Sequence, residues 1–219
     1  MNLIIADLLS DAQFSAIAES LADPGLFRDG AETAGALARP VKRNLQARDG
    51  AKVEAALGLI SEALLAHPIL GSAARPKQLL RILANRYEQG MHYGNHIDEP
   101  IIAGERADLS FTLMLSDPCE FEGGELVIES DDQTHVFRLA RGEMLLYPAH
   151  TLHRVEPVSR GRRLAVIGWI RSWIADPAQR EVLFDLDRVI ESMLAGSAER
   201  SILDRLQRAR ARLMRMWAQ

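Results

Sequence analysis

The sequence predicts a mainly β protein with flanking helices, an α+β arrangement whose centre is an antiparallel sandwich or barrel. Short apolar runs separated by turn residues recur between positions 79 and 170, as they do in antiparallel sheets. Before position 67 and after position 176, apolar residues recur at helical spacing instead. With 219 residues, 47% of them hydrophobic, the chain can bury a sizeable core as one domain with helical additions at its ends.

Two helices are predicted before the β region. The first is expected over 11–22, behind a capping box at Ser10, and ends at an Asp-Pro-Gly turn. The second is expected over 51–66, where apolar residues recur every three or four positions up to a His-Pro pair. Residues 28–50 have no clear period, so we predict a loop there with a short strand at about 41–46.

The β region divides into several strand candidates. In 108–116, strict alternation places Ser110 and Thr112 on one face and larger apolar residues on the other. Gly123 and Gly124 are predicted to form a turn that needs positive φ. The candidates are 79–87, 108–116, 125–129, 134–139, 143–147, 151–155 and 162–170.

Helical spacing returns in the last part of the chain. Pro177 is predicted to begin one helix and Gly196 to end it, and Ser197 is predicted to cap a last, arginine-rich helix. We therefore expect an N-terminal helical support region (1–77), a central β domain (78–173) and a C-terminal helical region (174–219). The apolar stripes of the two end regions are also suited to a homodimer interface.

Composition excludes several classes of function. The net charge of −4 gives no reason to expect nucleic-acid binding. Cys119 is the one cysteine of the chain, so no intrachain disulfide forms, which favours the reducing cytoplasm. The apolar run 3–9 lacks the basic start of a signal peptide, and no segment approaches the ~20 apolar residues of a membrane span. We expect a cytoplasmic protein with no nucleic-acid or membrane partner.

A candidate metal site begins at His96 and Asp98. Side chains at i and i+2 of an extended segment point to the same side, so both can face one ion. His153, on a later strand candidate, is the best third ligand, with His150 as its competitor. Two imidazoles and one carboxylate with open positions are typical of non-haem Fe(II) oxygenases. A His-x-Asp alone is weak support, and a zinc hydrolase or a non-catalytic metal sensor would use the same ligands.

Arg163 is the candidate for binding an anionic co-substrate. On a strand it shares one face with Ala165, Ile167 and Trp169, so it is expected to point into an apolar cavity, with Arg162 on the opposite face. A buried arginine without a partner is costly, and a dicarboxylate would supply a planar, bidentate partner.

These motifs together resemble the bacterial PKHD-type hydroxylases, a prolyl-4-hydroxylase-like group of Fe(II)/2-oxoglutarate dioxygenases. The resemblance covers most of the chain. It rests on Tyr-Glu-Gln-Gly-Met-His-Tyr-Gly-Asn-His-Ile-Asp (87–98), Glu-Gly-Gly-Glu-Leu (122–126), His-Arg-Val-Glu-Pro-Val (153–158), Gly-Arg-Arg (161–163), the segment 41–46 and Leu-Met-Arg-Met-Trp (213–217). It implies a double-stranded β-helix (jelly-roll, cupin-like) core, together with Fe(II), 2-oxoglutarate, O2 and ascorbate.

The resemblance also implies roles for individual residues. His96, Asp98 and His153 would hold the iron, and Arg163 would hold the far carboxylate of 2-oxoglutarate. Tyr87 would line the co-substrate pocket. Some relatives add a tyrosine on the strand after the His-x-Asp motif; Ser110 and Thr112 face inward here instead, and Thr112 is our candidate for that contact. Tyr93 and Trp169 are predicted pocket walls.

The expected activity is oxidation of an unactivated C–H bond, with release of succinate and CO2. The substrate would be a peptide residue, an amino acid or a small metabolite. A non-catalytic jelly-roll that senses iron or oxygen is the alternative.

Overall fold

The computed structural model describes residues 1–130, 133–196 and 199–219. In these ranges five α-helices and fifteen β-strands are present. The helices are α1 (Asp11–Ser20), α2 (Ala51–Ala66), α3 (Pro68–Ala74), α4 (Pro177–Ala195) and α5 (Arg200–Trp217). The strands are β1 (Leu3–Ile5), β2 (Phe27–Asp29), β3 (Lys42–Arg43), β4 (Leu45–Ala47), β5 (Pro76–Glu88), β6 (His92–His96), β7 (Ile101–Ile102), β8 (Glu105–Arg106), β9 (Leu109–Met114), β10 (Phe121–Gly123), β11 (Leu126–Glu129), β12 (Thr134–Phe137), β13 (Met144–Pro148), β14 (Leu152–Val155) and β15 (Val158–Ser172).

Two antiparallel sheets form the centre of the molecule. The larger has the order β1-β13-β9-β15-β5-β4-β2, with β10 pairing against β15, and the smaller has the order β12-β11-β14-β6-β3. One buried cluster joins side chains of both, for example Tyr147 and Ala165 with Leu126 and Ile128. The sheets therefore pack face to face, as the predicted antiparallel sandwich requires.

Helices α1 and α2 cover the outer face of the larger sheet. Phe14 and Ile60 belong to the same buried cluster as Phe111, Leu113 and Val166. The alternation predicted for 108–116 explains this arrangement, because odd-numbered residues of β9 face the helices while Ser110 and Thr112 line the cavity between the sheets.

A buried ion pair connects the two C-terminal helices, α4 and α5, to the end of α3. Arg75, in left-handed conformation after α3, donates to the carbonyl of Leu183 at 3.1 Å and pairs with the carboxylate of Asp187 on α4. Asp187 also accepts from Arg210 of α5. One carboxylate thus links α3, α4 and α5.

Several predicted boundaries agree with the structure and several do not. The second helix has the predicted bounds, and the capping box at Ser10 is present, but the first helix ends at residue 20 because Leu21 already caps it. The short strand predicted at about 41–46 is present as β3 and β4, which pair with β6 and β5 respectively. The loop predicted around it also begins with part of β2, which pairs with β4. The features that were not predicted include the short strands β1, β2, β7, β8 and β10, the helix α3 and the full length of β15.

The predicted helix stop at Gly196 is confirmed. The predicted cap Ser197 lies outside the described residues, and α5 begins behind Glu199. In the ranges described, no single helix is long and apolar enough to cross a membrane; α2 and α3 reach that length only as a pair bent by 75°.

Candidate active site

Two neighbouring strands of the smaller sheet bring His96 and His153 together. The two residues are direct partners in the β6–β14 pairing, and their ring centroids lie 4.2 Å apart. Asp98 follows β6 and places its carboxylate 4.0 Å from Nε2 of His96 and 3.9 Å from Nε2 of His153. One donor atom from each residue lies within 4.8 Å of the others, which is the spacing of groups that share one ion.

Hydrogen bonds fix the orientation of all three side chains. Nδ1 of His96 lies 2.9 Å from the carbonyl oxygen of Gly94, and Nδ1 of His153 lies 2.9 Å from that of Thr151. A carbonyl oxygen only accepts, so each Nδ1 carries the proton and each Nε2 presents its lone pair to the centre. Ser110 donates to Oδ2 of Asp98 at 2.6 Å, which orients the carboxylate.

The surroundings keep the imidazole of His96 in the neutral form that binds metal. Burial, followed by the nearby His153, lowers the pKa of His96 to about 4. Tyr93 stacks on His96 with ring centroids 3.5 Å apart and adds to this burial. A metal ligand must be neutral imidazole, so His96 is ready to bind well below neutral pH.

Arg163 is buried beside Tyr87 and Tyr147, which line the cavity between the sheets. Burial lowers the pKa of its guanidinium more than the Glu125 carboxylate raises it, and that carboxylate is paired with Arg138. Arg163 is 1% exposed and makes no hydrogen bond or ion pair with the part of the chain that the structure describes. Its guanidinium carbon is 5.3 Å from the ring centroid of Tyr87, its partner in the β15–β5 pairing. Burial lowers the pKa of the guanidinium, yet an arginine stays charged in proteins. A buried positive charge without an ion-pair partner is unfavourable, and a bound anion would stabilise it.

The predicted Gly123-Gly124 turn is confirmed and has a second role. Both residues have positive φ, +74° and +69°. A Cβ on Gly124 would lie 2.9 Å from Cδ of Arg163. The missing side chain is therefore what lets Arg163 lie against this turn.

Two phenol groups lie near Arg163, and a threonine hydroxyl lies beside one of them. Tyr87 and Tyr147 are fully buried, and burial raises the pKa of both phenols, so they stay protonated and can donate. Thr112 lies beside Tyr147 and lowers the pKa of that phenol, less than burial raises it. Tyr147 also packs edge-on against His153, with centroids 5.1 Å apart. Sequence analysis did not single out Tyr147, because its role depends on the pairing of β13 with β9.

The cavity between the sheets has a volume of about 900 Å³ including its open mouth. All of the predicted metal, co-substrate and wall residues except Arg163 line it. These are His96, Asp98, His153, Tyr87, Thr112, Tyr93 and Trp169. His150, the competing ligand, is exposed and lies outside the cluster, and Arg162 is exposed on the opposite face of β15.

Two other residues at the cavity were not predicted to have these roles. Ser110 was expected to face inward, but its bond to Asp98 follows from a contact between a loop and β9. Lys42 lines the cavity from β3, where sequence analysis had noted it only as part of the resemblance. The available signal was that Lys42 is a charged residue within a segment predicted to form a short strand.

Comparisons with known proteins agree with this site. The sequence pattern of the "2OG-Fe(II) oxygenase superfamily" matches residues 82–171. A PKHD-type hydroxylase of Maricaulis maris (strain MCS10) is 47% identical over 195 residues, covering 89% of each chain. A PKHD-type hydroxylase of Synechococcus elongatus is 42% identical over 224 residues and covers both chains completely.

Solved structures show the same fold at lower identity. A prolyl hydroxylase of Trichoplax adhaerens, in complex with a peptide fragment of the hypoxia inducible factor oxygen degradation domain, has a TM-score of 0.60 and 16% identity over 77% of this chain and 83% of its own. A prolyl-4-hydroxylase of Pseudomonas putida has a TM-score of 0.54 and 20% identity over 78% and 92%. The expected double-stranded β-helix is thereby confirmed. The chain belongs to the PKHD-type hydroxylases and is an Fe(II)- and 2-oxoglutarate-dependent dioxygenase.

Proposed function

We propose that this enzyme hydroxylates an unactivated C–H bond of an organic substrate while 2-oxoglutarate and O2 are converted to succinate and CO2. One observation carries the proposal: two imidazoles and one carboxylate line the same cavity as Tyr87 and Tyr147, which lie next to a buried arginine with no ion pair in the described part of the chain. The family establishes an oxygenase of this kind, and the assignment of roles to individual residues is ours.

The donor set fits a ferrous ion. We assign Nε2 of His96, Nε2 of His153 and a carboxylate oxygen of Asp98 as its ligands, because the hydrogen bonds at Nδ1 leave those atoms free. Two imidazoles and one carboxylate suit Fe(II) and leave coordination positions for a co-substrate and for O2.

The anion site fits 2-oxoglutarate. Arg163 offers a planar pair of donors to a carboxylate, and the protonated phenols of Tyr87 and Tyr147 are further donors near it. The hydroxyl of Thr112, beside Tyr147, is another donor. A guanidinium has only N–H donors and cannot ligate a metal ion, so we assign Arg163 the carboxylate of 2-oxoglutarate remote from the metal.

The ferrous ion and 2-oxoglutarate supply the oxidation chemistry when bound, and the protein supplies position and shelter. The imidazole rings are held by backbone carbonyls, so the ligand atoms need no rearrangement on binding. The tyrosine phenols and Arg163 fix the co-substrate in a cavity from which the packed sheets exclude bulk water. No side chain is needed as a general acid or base.

The test compares two adjacent arginines. Arg163→Ala should weaken anaerobic 2-oxoglutarate binding by roughly 30-fold or more, because loss of one partner of a buried charge pair costs about 2–5 kcal/mol. Arg162→Ala removes the same charge from the exposed face and should leave the affinity unchanged. Calorimetry measures the binding, and O2-dependent succinate release measures turnover. Equal affinities of the two variants would contradict the assignment.

A second pair tests the metal ligands. His153→Ala should abolish Fe(II) binding, whereas His150→Ala, three residues earlier and exposed, should retain it. Metal analysis after anaerobic loading distinguishes the two. Iron bound equally by both variants would show that His153 is not a ligand.

A non-catalytic sensor is not favoured, because it would leave the buried charge of Arg163 without a function. We propose a peptide residue, a free amino acid or a small metabolite as the substrate. Stimulation by ascorbate, a cytoplasmic location and a homodimer stay predictions, and they are checked by turnover assays, cell fractionation and light scattering respectively.

A further inference from the structure

Lys42 is a buried ammonium group that lines the cavity from β3, whereas Arg163 lies on β15. Lys42 is 7% exposed and pairs with Tyr93 across β3 and β6. Its Nζ lies 5.3 Å from the ring centroid of Tyr93 and 3.5 Å from Oγ1 of Thr33. Neither contact is an ion pair, and Lys42 forms none with any residue in the described ranges.

The charges that face Lys42 do not neutralise it. Burial, followed by the nearby Arg81 guanidinium, lowers its pKa to about 8, so the ammonium form still predominates at neutral pH. Asp98 raises the pKa but is committed to the metal, and the more distant Asp29 is exposed and already accepts from Ala31. Glu99 lines the cavity mouth, is exposed, and lies beyond ion-pair distance of Lys42.

The excess of positive charge is clearer when the charges of a bound ferrous ion and of 2-oxoglutarate are counted. The ferrous ion and Arg163 would be balanced by Asp98 and the two carboxylates of 2-oxoglutarate. Among the other charged residues that line the cavity, Lys42 and Arg81 are positive and the exposed Glu99 is negative, so one positive charge remains in excess. Arg81 makes no ion pair within the part of the chain described and is exposed, so it lies at the mouth. A buried ammonium without a counter-ion is unfavourable unless a ligand supplies the negative charge.

We propose that Lys42, with Arg81 at the cavity mouth, binds a carboxylate of the substrate that is hydroxylated. This inference rests on the proposed function and narrows its substrate class. The substrate would be a carboxylic acid, either a free amino acid or the last residue of a peptide, and not a residue within a peptide chain. Tyr93 contacts both the Lys42 ammonium group and the His96 ring, and so connects the proposed carboxylate site to the metal ligands.

The test uses matched acids and amides as probes. A panel of N-acetyl amino acids, and the same panel as primary amides, is titrated into the anaerobic Fe(II)- and 2-oxoglutarate-loaded protein with ligand-observed NMR as the readout. We expect at least one acid to bind the wild-type protein about tenfold more tightly than its amide, since a tenfold ratio corresponds to about 1.4 kcal/mol. Short peptides ending in the same residue then distinguish a free amino acid from a chain terminus.

Two lysine variants test whether Lys42 is the residue that produces the preference for acids over amides. Lys42→Met should remove the preference for acids, whereas Lys52→Met, the same substitution on the exposed face of α2, should keep it. The thermal stability of Lys42→Met should be equal to or above that of the wild type, because a buried unpaired charge is removed; a merely structural lysine would give the opposite result. Arg81→Gln should reduce the preference in part.

Other outcomes overturn the proposal. These are no acid bound, acids and amides bound equally, the preference kept in Lys42→Met, or a tenfold loss of 2-oxoglutarate affinity in that variant, which would place Lys42 in the co-substrate site. Failure of the proposed function would appear separately, as a wild-type protein that binds neither Fe(II) nor 2-oxoglutarate.

Discussion

Gly124→Ala is the substitution that tests the geometry around Arg163 most directly. A methyl group there would lie 2.9 Å from Cδ of Arg163 and 3.0 Å from Cγ2 of Val158, both too close for carbon atoms. The φ of +69° adds a backbone cost of about 1–2 kcal/mol for any L-residue, and overpacking adds about 1–3 kcal/mol. We expect a loss of about 2–5 kcal/mol in the free energy of unfolding, together with displacement of the guanidinium.

Gly104→Ala is the matched control. Its φ is +81°, but nothing lies within 4 Å of the added methyl group, so only the backbone cost of about 1–2 kcal/mol applies. Urea unfolding measures the stability of both variants, and calorimetry measures their affinity for 2-oxoglutarate. We expect only Gly124→Ala to bind 2-oxoglutarate at least about tenfold more weakly. Equal stabilities and unchanged affinity in the two variants would refute the contact argument.

Three further predictions concern other parts of the structure. Ser110→Ala removes the hydrogen bond that orients Asp98 and should lower Fe(II) affinity about 10–100-fold in a competition titration. Asp187→Ala leaves buried Arg75 without its partner and should cost about 3–5 kcal/mol in urea unfolding. The pKa of His96 is about 4 in the folded protein and 6.5 in the unfolded chain, so the unfolded chain is protonated first as the pH falls. The free energy of unfolding of the metal-free protein should therefore decrease by at most about 3 kcal/mol from pH 6.5 to pH 4.

Each of these has a control within the chain. Ser15→Ala changes an exposed helical serine and should leave Fe(II) affinity as it is. Asp204→Ala breaks an exposed pair with Arg200 and should cost less than about 1 kcal/mol. His96→Asn should flatten the stability profile between pH 6.5 and pH 4; an unchanged slope would assign it to other groups.

The features that sequence predicted well are those set by local pattern. The alternation of β9 and the helical spacing of α2 are properties of neighbouring residues, so their faces and bounds could be read directly. The burial of Arg163 followed from the same period-two argument on β15 and is confirmed. The roles of His96, Asp98 and His153 stay predictions, although the structure brings the three together.

The features that were missed depend on partners far away in sequence. Strand β1 has only three residues and is defined by its pairing with β13, which no local pattern reveals. Helix α3 follows α2 after a single residue, so the His-Pro pair was taken as the end of helical structure when it is a bend. The charge environment of Lys42 likewise exists only once β3 pairs with β6.

The pairing of His96 with His153 across β6 and β14 has a consequence for motion within the smaller sheet. An ion held by both rings would add a link between two strands that are otherwise joined by main-chain bonds and by the hydrogen bond from Arg154 to Asn95. Loading should then slow amide hydrogen exchange selectively along those strands, by an amount that grows with the ratio of free metal to its dissociation constant. In the metal-free protein, the smaller sheet should open more often than the larger one. Part of the rigidity of the cupin scaffold would then come from its bound metal ion.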